Sequence, residues 1–150
     1  MSWPSPGTIS VTSPDLDDRT RMADRLTADH ENEAPRIHVT GVPAEAVELA
    51  LVCHDPDAPI PFGFTHWTIV GVPADAESIA ANSGREGPNS TGGSAYYGPQ
   101  PPHGHGDHSY YFWVYALSRP VDGEPTREEF LRDYADAILE QNRLIGYYSR

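Results

Sequence analysis

Apolar residues along the chain gather into short runs rather than one continuous repeat. β-Branched and aromatic residues concentrate at 8–11, 36–40, 47–53, 65–72 and 110–117, each run bounded by Pro, Gly, Asp or Asn. That pattern predicts five strands joined by loops. In the last run every residue is aromatic or aliphatic, which predicts a strand covered on both faces and central in its sheet. One stretch has helical spacing instead. Thr126 is a suitable N-cap with Glu129 three residues on, and Phe130, Tyr134, Ala137, Ile138 and Leu144 follow at helical intervals. The spacing predicts a helix over 127–142 with Gly146 just beyond it, and with Glu128, Glu129, Asp133, Asp136 and Glu140 on its solvated face. The segment 19–28 is polar nearly all round and reads as loop. The expected class is mainly β with a C-terminal α-helix.

A length of 150 residues fits one domain, with 1–7 expected to form a flexible tail. The longest apolar run, 110–117, is far short of the ~18 residues a membrane helix needs. The opening stretch has neither a basic nor an apolar signal region, so a cytoplasmic address is expected. The single cysteine, Cys53, cannot close an intrachain disulfide or form a paired-thiol redox site. Asp and Glu number 22 against 10 basic residues, all arginine, for a net charge of −12. Such a chain repels nucleic acid. Thirteen glycines and 15 prolines break it into short pieces, and the segment 80–106 is long, rich in both and nearly free of aliphatic residues. Long loops inside a domain tend to carry function.

Two loops adjoin confident strands. The first is Asp55-Pro56-Asp57-Ala58-Pro59, and the second runs from Gly98 through His103, His105 and His108 into Tyr110. Proline fixes φ and glycine lets a ligand approach the backbone, so both loops look pre-shaped. Taken alone, Asp55 to Pro59 also reads as a plain turn, and His66 beside Trp67 as a core histidine bonded to backbone. His103-Gly104-His105-Gly106-Asp107-His108 spells a metal-binding motif similar to that of the metallo-β-lactamase fold. The chain has no histidine after His108 to complete a dinuclear site, and a strand follows where that fold starts a helix. No metal site and no cofactor are expected, and adventitious metal binding at His103, His105 and His108 stays open. Cys53 reads as an inert buried thiol, with His54 pointing to the opposite face.

A further resemblance covers nearly the whole chain. Asp55-Pro56-Asp57-Ala58-Pro59, then His66-Trp67 and Gly71-Val72-Pro73, then Tyr97-Gly98-Pro99-Gln100-Pro101-Pro102 with Gly104, Gly106, His108 and Tyr110, resemble the two central motifs of the phosphatidylethanolamine-binding protein family. Asn32 with Pro35 resembles its early segment, and Leu144 to Tyr148 its ending. The bacterial and archaeal Raf kinase inhibitor-like branch is the nearer match. Ser109 stands where relatives often have arginine. The resemblance implies an antiparallel β-sandwich with peripheral helices and a small cavity for anions such as phosphate or phosphoethanolamine. It implies a lining of Asp55, Asp57, Pro59, His66, Pro101, Gly104, His108 and Tyr110, with no catalytic residue.

The residue types support that chemistry directly. An imidazole can donate to a phosphate oxygen while a carboxylate such as Asp55 holds its other nitrogen. Two histidines and the Tyr110 hydroxyl supply several donors, and protonated imidazoles would make those bonds charge-assisted, with affinity falling as pH rises above ~6.5. The expected function is therefore binding of a small anion or phospho-ligand, without enzymatic activity. Two alternatives use the same residues: a hydrolase in which His108 or His66 acts as base with Asp55 orienting it, and a regulator docking a phosphorylated partner protein. A homodimer is compatible with the aromatic strands, and the protein partner is open.

Overall fold

The computed structural model describes residues 8–150, so the tail expected at 1–7 lies outside the described residues. All five predicted strands form within two residues of their expected ends: β1 (Ser10–Thr12), β3 (Ile37–Thr40), β4 (Glu48–Asp55), β5 (Phe64–Pro73) and β8 (His108–Leu117). Two-residue strands β2 (Thr20–Arg21), β6 (Ser78–Ile79) and β7 (Arg85–Glu86) join them, along with helix α1 (Arg127–Tyr134) and strand β9 (Ile138–Tyr148). β1, β3 and β6 make a small sheet, and the large sheet runs β2-β9-β8-β4-β5-β7. All pairings are antiparallel except β2 with β9.

Alternation along β4 sets the layering. Leu49, Leu51 and Cys53 face the small sheet and pack with Val39, Trp67, Phe112 and Val114. Ala50 and Val52 face the other way and pack with Tyr115 and Phe130 beneath α1. Both faces are covered, so all eight residues of β4 are buried and the strand reads as a continuous apolar run. β8 is central as predicted, yet its N-terminal half is buried on one face only, with Tyr111 and Trp113 partly open.

The C-terminal segment differs from its expectation. The capping box forms, with Glu129 N–H donating to Thr126 Oγ1 at 3.1 Å and Thr126 N–H donating to Glu129 Oε1 at 2.9 Å. The α-helix nevertheless ends at Tyr134, a 3₁₀ turn spans Ala135–Ala137, and Ile138 onward is strand. The reason is pairing: β9 runs antiparallel to β8 from Leu117↔Ile138 to His108↔Tyr148, and without it β8 would be a long unpaired edge. Tertiary hydrogen bonding thus overrides a local helical pattern. Gly146 is no helix stop but a strand residue opposite Tyr110, where a Cβ would lie 2.5 Å from Met22 Cγ. Glu140 leaves the expected solvated helix face and accepts the Thr8 and Ile9 N–H groups at 2.8 and 3.0 Å. The polar 19–28 segment is likewise not all loop: it holds β2 and a 3₁₀ turn at Asp24–Leu26, with Met22 and Leu26 buried.

Candidate functional site

Antiparallel order brings the end of β4 beside the starts of β5 and β8, so residues distant in sequence meet at one end of the large sheet. Cys53 pairs with both Trp67 and Phe112, and these three share the face that looks toward the small sheet. Counting in twos from them places Asp55, His108 and Tyr110 on that same face. Plain alternation would send His66, next to Trp67, to the opposite one. A register shift between Cys53 and His54 removes the conflict, because Cys53 pairs with Trp67 but His54 with Thr65. His66 is the extra residue of this bulge, a device that re-aims a side chain. Its ring meets that of Tyr110 edge-on, with centroids 5.1 Å apart.

Asp55, His66, His108 and Tyr110 are all buried and together line a cavity of about 260 Å³. Pro101 forms a buried wall, and Phe64, Tyr97 and Gln100 line it further out. Pro59, Ile60 and Pro102 are exposed at its rim. Six of the eight expected residues therefore border one space. Asp57 does not: its Oδ2 accepts the Ser109 N–H at 2.8 Å and ties the Asp55 to Pro59 turn to the start of β8. Gly104 also lies off the cavity, its N–H donating to the Arg150 carbonyl at 3.0 Å.

The polar groups are connected as follows. Asp55 Oδ2 accepts from His108 Nδ1 at 2.6 Å, and its Oδ1 accepts the Asp57 N–H at 2.7 Å. The other nitrogen of His108, Nε2, lies 2.5 Å from Nδ1 of the exposed His105. His66 donates Nδ1–H to the Tyr97 carbonyl. Tyr110 keeps a buried hydroxyl without a partner among the described residues. Outside the buried end, Tyr97 O–H donates to Gln100 Oε1 at 2.6 Å, and Gln100 Nε2 donates to Asp29 at 2.8 Å. Asp29 also accepts from Arg150, whose Nε donates to the Pro101 carbonyl at 2.6 Å.

Burial dominates the electrostatics. It lowers His66 to about 4, outweighing the Tyr97 carbonyl bond that favours the charged ring. His66 therefore stays neutral well below pH 6.5, where the sequence alone predicts that an ordinary histidine becomes protonated. Burial raises the Asp55 carboxyl, with the His108 hydrogen bond pulling the other way. It also raises the Tyr110 phenol above its ordinary range, and the Asp55 charge adds to this. Cys53 is buried and raised in the same way, as expected of an inert thiol.

Several contributors escape residue-type reasoning. Tyr97 acts on His66 through its backbone carbonyl, which no side-chain pattern announces. Asn32, in a left-handed conformation at φ 53°, donates to the Tyr96 carbonyl at 3.0 Å and accepts the Gly98 N–H at 2.7 Å, stitching the cavity wall. Gly98 has no room for a side chain there, since a Cβ would lie 2.2 Å from the Leu26 carbonyl oxygen. Ile60 directly follows the Asp55 to Pro59 turn and Phe64 opens β5 four residues later, and their nearness was the available clue. As for metal, no group of three or more His, Cys, Asp or Glu among the described residues is arranged to hold an ion. No helix among them is long and apolar enough to cross a membrane.

Comparison with known proteins agrees with this architecture. The family model described as phosphatidylethanolamine-binding protein matches residues 12–149. A UPF0098 protein of Methanothermobacter thermautotrophicus is 40% identical over 146 residues, covering 90% of this chain and 95% of the relative. The crystal structure of a homologue of phosphatidylethanolamine-binding protein from Chlamydia trachomatis superposes with a TM-score of 0.88 at 26% identity, over 97% of this chain and 99% of that one. Escherichia coli YbcL shares the fold with a TM-score of 0.88 at 23% identity, over 96% and 99% of the two chains. With a sandwich of this topology and a match along almost its whole length, the chain belongs to the phosphatidylethanolamine-binding protein family.

Proposed function

We propose that the chain binds a small anionic ligand, phosphate or a phosphorylated headgroup such as phosphoethanolamine, in the cavity between β4, β5 and β8. One observation carries the reading: Asp55, His66, His108 and Tyr110, contributed by three strands, border a single space whose buried end keeps the Tyr110 hydroxyl unpartnered. Buried polar groups are nearly always satisfied, so an orphan hydroxyl beside a cavity marks a place for a partner. The volume, about 260 Å³, suits a headgroup better than a larger molecule, since drug-sized pockets begin near ~300 Å³. Proline at 59 and 102 stiffens the rim and Pro101 the buried wall, so little ordering entropy opposes entry.

In this reading the ligand leaves chemically unchanged. Calorimetric titration with phosphoethanolamine at pH 6 tests it, with free phosphate assayed in the same sample. Saturable one-to-one heat without phosphate release supports binding, and loss of the heat in His108→Ala ties it to the cavity. Release of phosphate would favour the hydrolase, with Asp55 orienting His108. Absence of headgroup binding together with capture of a phosphorylated protein would favour the docking regulator.

A further inference from the structure

Resting on the anion-binding reading, we propose that the cavity takes its oxyanion in the protonated form: a phosphate monoester monoanion, which gives a hydrogen bond as well as receiving one, and neither the dianion nor sulfate. The argument is an account of free hydrogen-bonding capacity. Both oxygens of Asp55 are occupied, by the Asp57 N–H and by His108 Nδ1. Both nitrogens of His108 are occupied, by Asp55 and by His105. Gln100 is held at both ends of its amide by Tyr97 and Asp29, and the Thr91 hydroxyl donates to Asn89 Oδ1 at 2.5 Å. At the buried end of the cavity two atoms are left without any hydrogen-bond partner among the described residues, the Tyr110 hydroxyl and Nε2 of His66, while Asp55 keeps only acceptor lone pairs and the second N–H of Gln100 lies at the exposed rim.

These two are opposite in kind. Tyr110 can donate its O–H. His66 cannot donate from Nε2, because a carbonyl only accepts, so the Tyr97 oxygen requires the ring's proton to sit on Nδ1 and leaves a lone pair on Nε2. Groups around the ring keep it that way. Tyr97 and Gly98 backbone on the long loop favour protonation, while His54 on β4 and His108 on β8 oppose it; burial is the largest influence and holds the ring neutral down to about pH 4. Phe64 and Tyr110 contribute only rings against it. The nearest fixed charge at the buried end is the Asp55 carboxylate, and no arginine borders the cavity. A dianion would thus meet one donor, one lone pair and a negative charge. A P–OH group instead gives its hydrogen to His66 Nε2 while a neighbouring P–O⁻ oxygen accepts from Tyr110, and both unpartnered atoms are satisfied.

The test is calorimetry on the full chain with ethyl phosphate, ethylphosphonate and sulfate from pH 6 to 8 at constant ionic strength. With a second ionisation near ~6, about half of the ester is monoanionic at pH 6 and about one part in 100 at pH 8. Its affinity should fall about 50-fold over that range. The phosphonate, whose second ionisation lies at higher pH, should lose affinity at correspondingly higher pH, so that the midpoint follows the ligand. Sulfate should bind at least about tenfold more weakly than the ester at pH 6. Sulfate matching the ester, ester affinity flat or rising toward pH 8, or a midpoint common to both phosphorus ligands would overturn the protonated-ligand proposal while leaving an anion site in place. No heat with any of the three at any pH would overturn both it and the anion-binding reading.

Discussion

Tyr110 combines a fully buried ring with a hydroxyl that has no partner among the described residues, in a wall where the other polar side chains each make at least one hydrogen bond. An unsatisfied buried hydroxyl costs about 1–3 kcal/mol, so removing it should help the empty fold while harming the site. Tyr110→Phe is expected to raise stability in urea by about 1 kcal/mol and to weaken phosphoethanolamine binding about tenfold. A tyrosine with no role in binding would show the gain in stability without the loss of affinity. His66 illustrates a second point at this scale, since its role depends on a bulge that brings its ring against Tyr110 and on a carbonyl that selects its tautomer. Its residue type was legible in the sequence, but the direction of the ring and the loss of its charge were not. Both follow from register and burial, which only long-range pairing determines.

Among the elements, strand identity was read well where apolar residues form unbroken runs bounded by turn formers, as in β4, β5 and β8. These three strands carry the four buried polar residues of the cavity, so the heart of the candidate site was legible with them. Two-residue strands such as β2 and β7 leave no local pattern, and β9 was masked by an accidental helical spacing. What distinguishes β9 is the exposed ladder of β8 that needs a neighbour, a property of another segment. The helix that does form covers the face of the large sheet opposite the small one, where Phe130 is buried against Val52 and Tyr115. Thr126→Ala breaks its capping box and should lower stability by about 1 kcal/mol. Phosphoethanolamine affinity should stay the same, because α1 lies on the side of the sheet away from the cavity. A change in affinity would mean that the two faces are coupled.

Across the whole molecule, buried titratable groups make folding depend on pH. His54 and His66 are both lowered to about 4, with burial the leading cause in each. Between pH 4 and the unfolded value of ~6.5, the unfolded chain binds the extra protons, so stability falls as pH drops through this window. Each imidazole contributes up to about 3 kcal/mol to that loss. Asp55 acts with the opposite sign, since its raised carboxyl takes up a proton more readily in the folded state. Two histidines outweigh one carboxyl, and urea unfolding should show lower stability at pH 4.5 than at pH 7. Equal stability at the two values would mean that the imidazoles are better solvated than their burial implies.

Four side chains from three strands, Asp55, His66, His108 and Tyr110, border one cavity of about 260 Å³, and the proposed anion site rests on that arrangement. The most direct measurement is a crystal structure of the chain grown with ethyl phosphate at pH 6. The account predicts phosphorus in the cavity, with one oxygen within hydrogen-bond distance of the Tyr110 hydroxyl and another within the same reach of His66 Nε2. Ligand bound elsewhere on the surface, with Tyr110 still unpartnered, would contradict it.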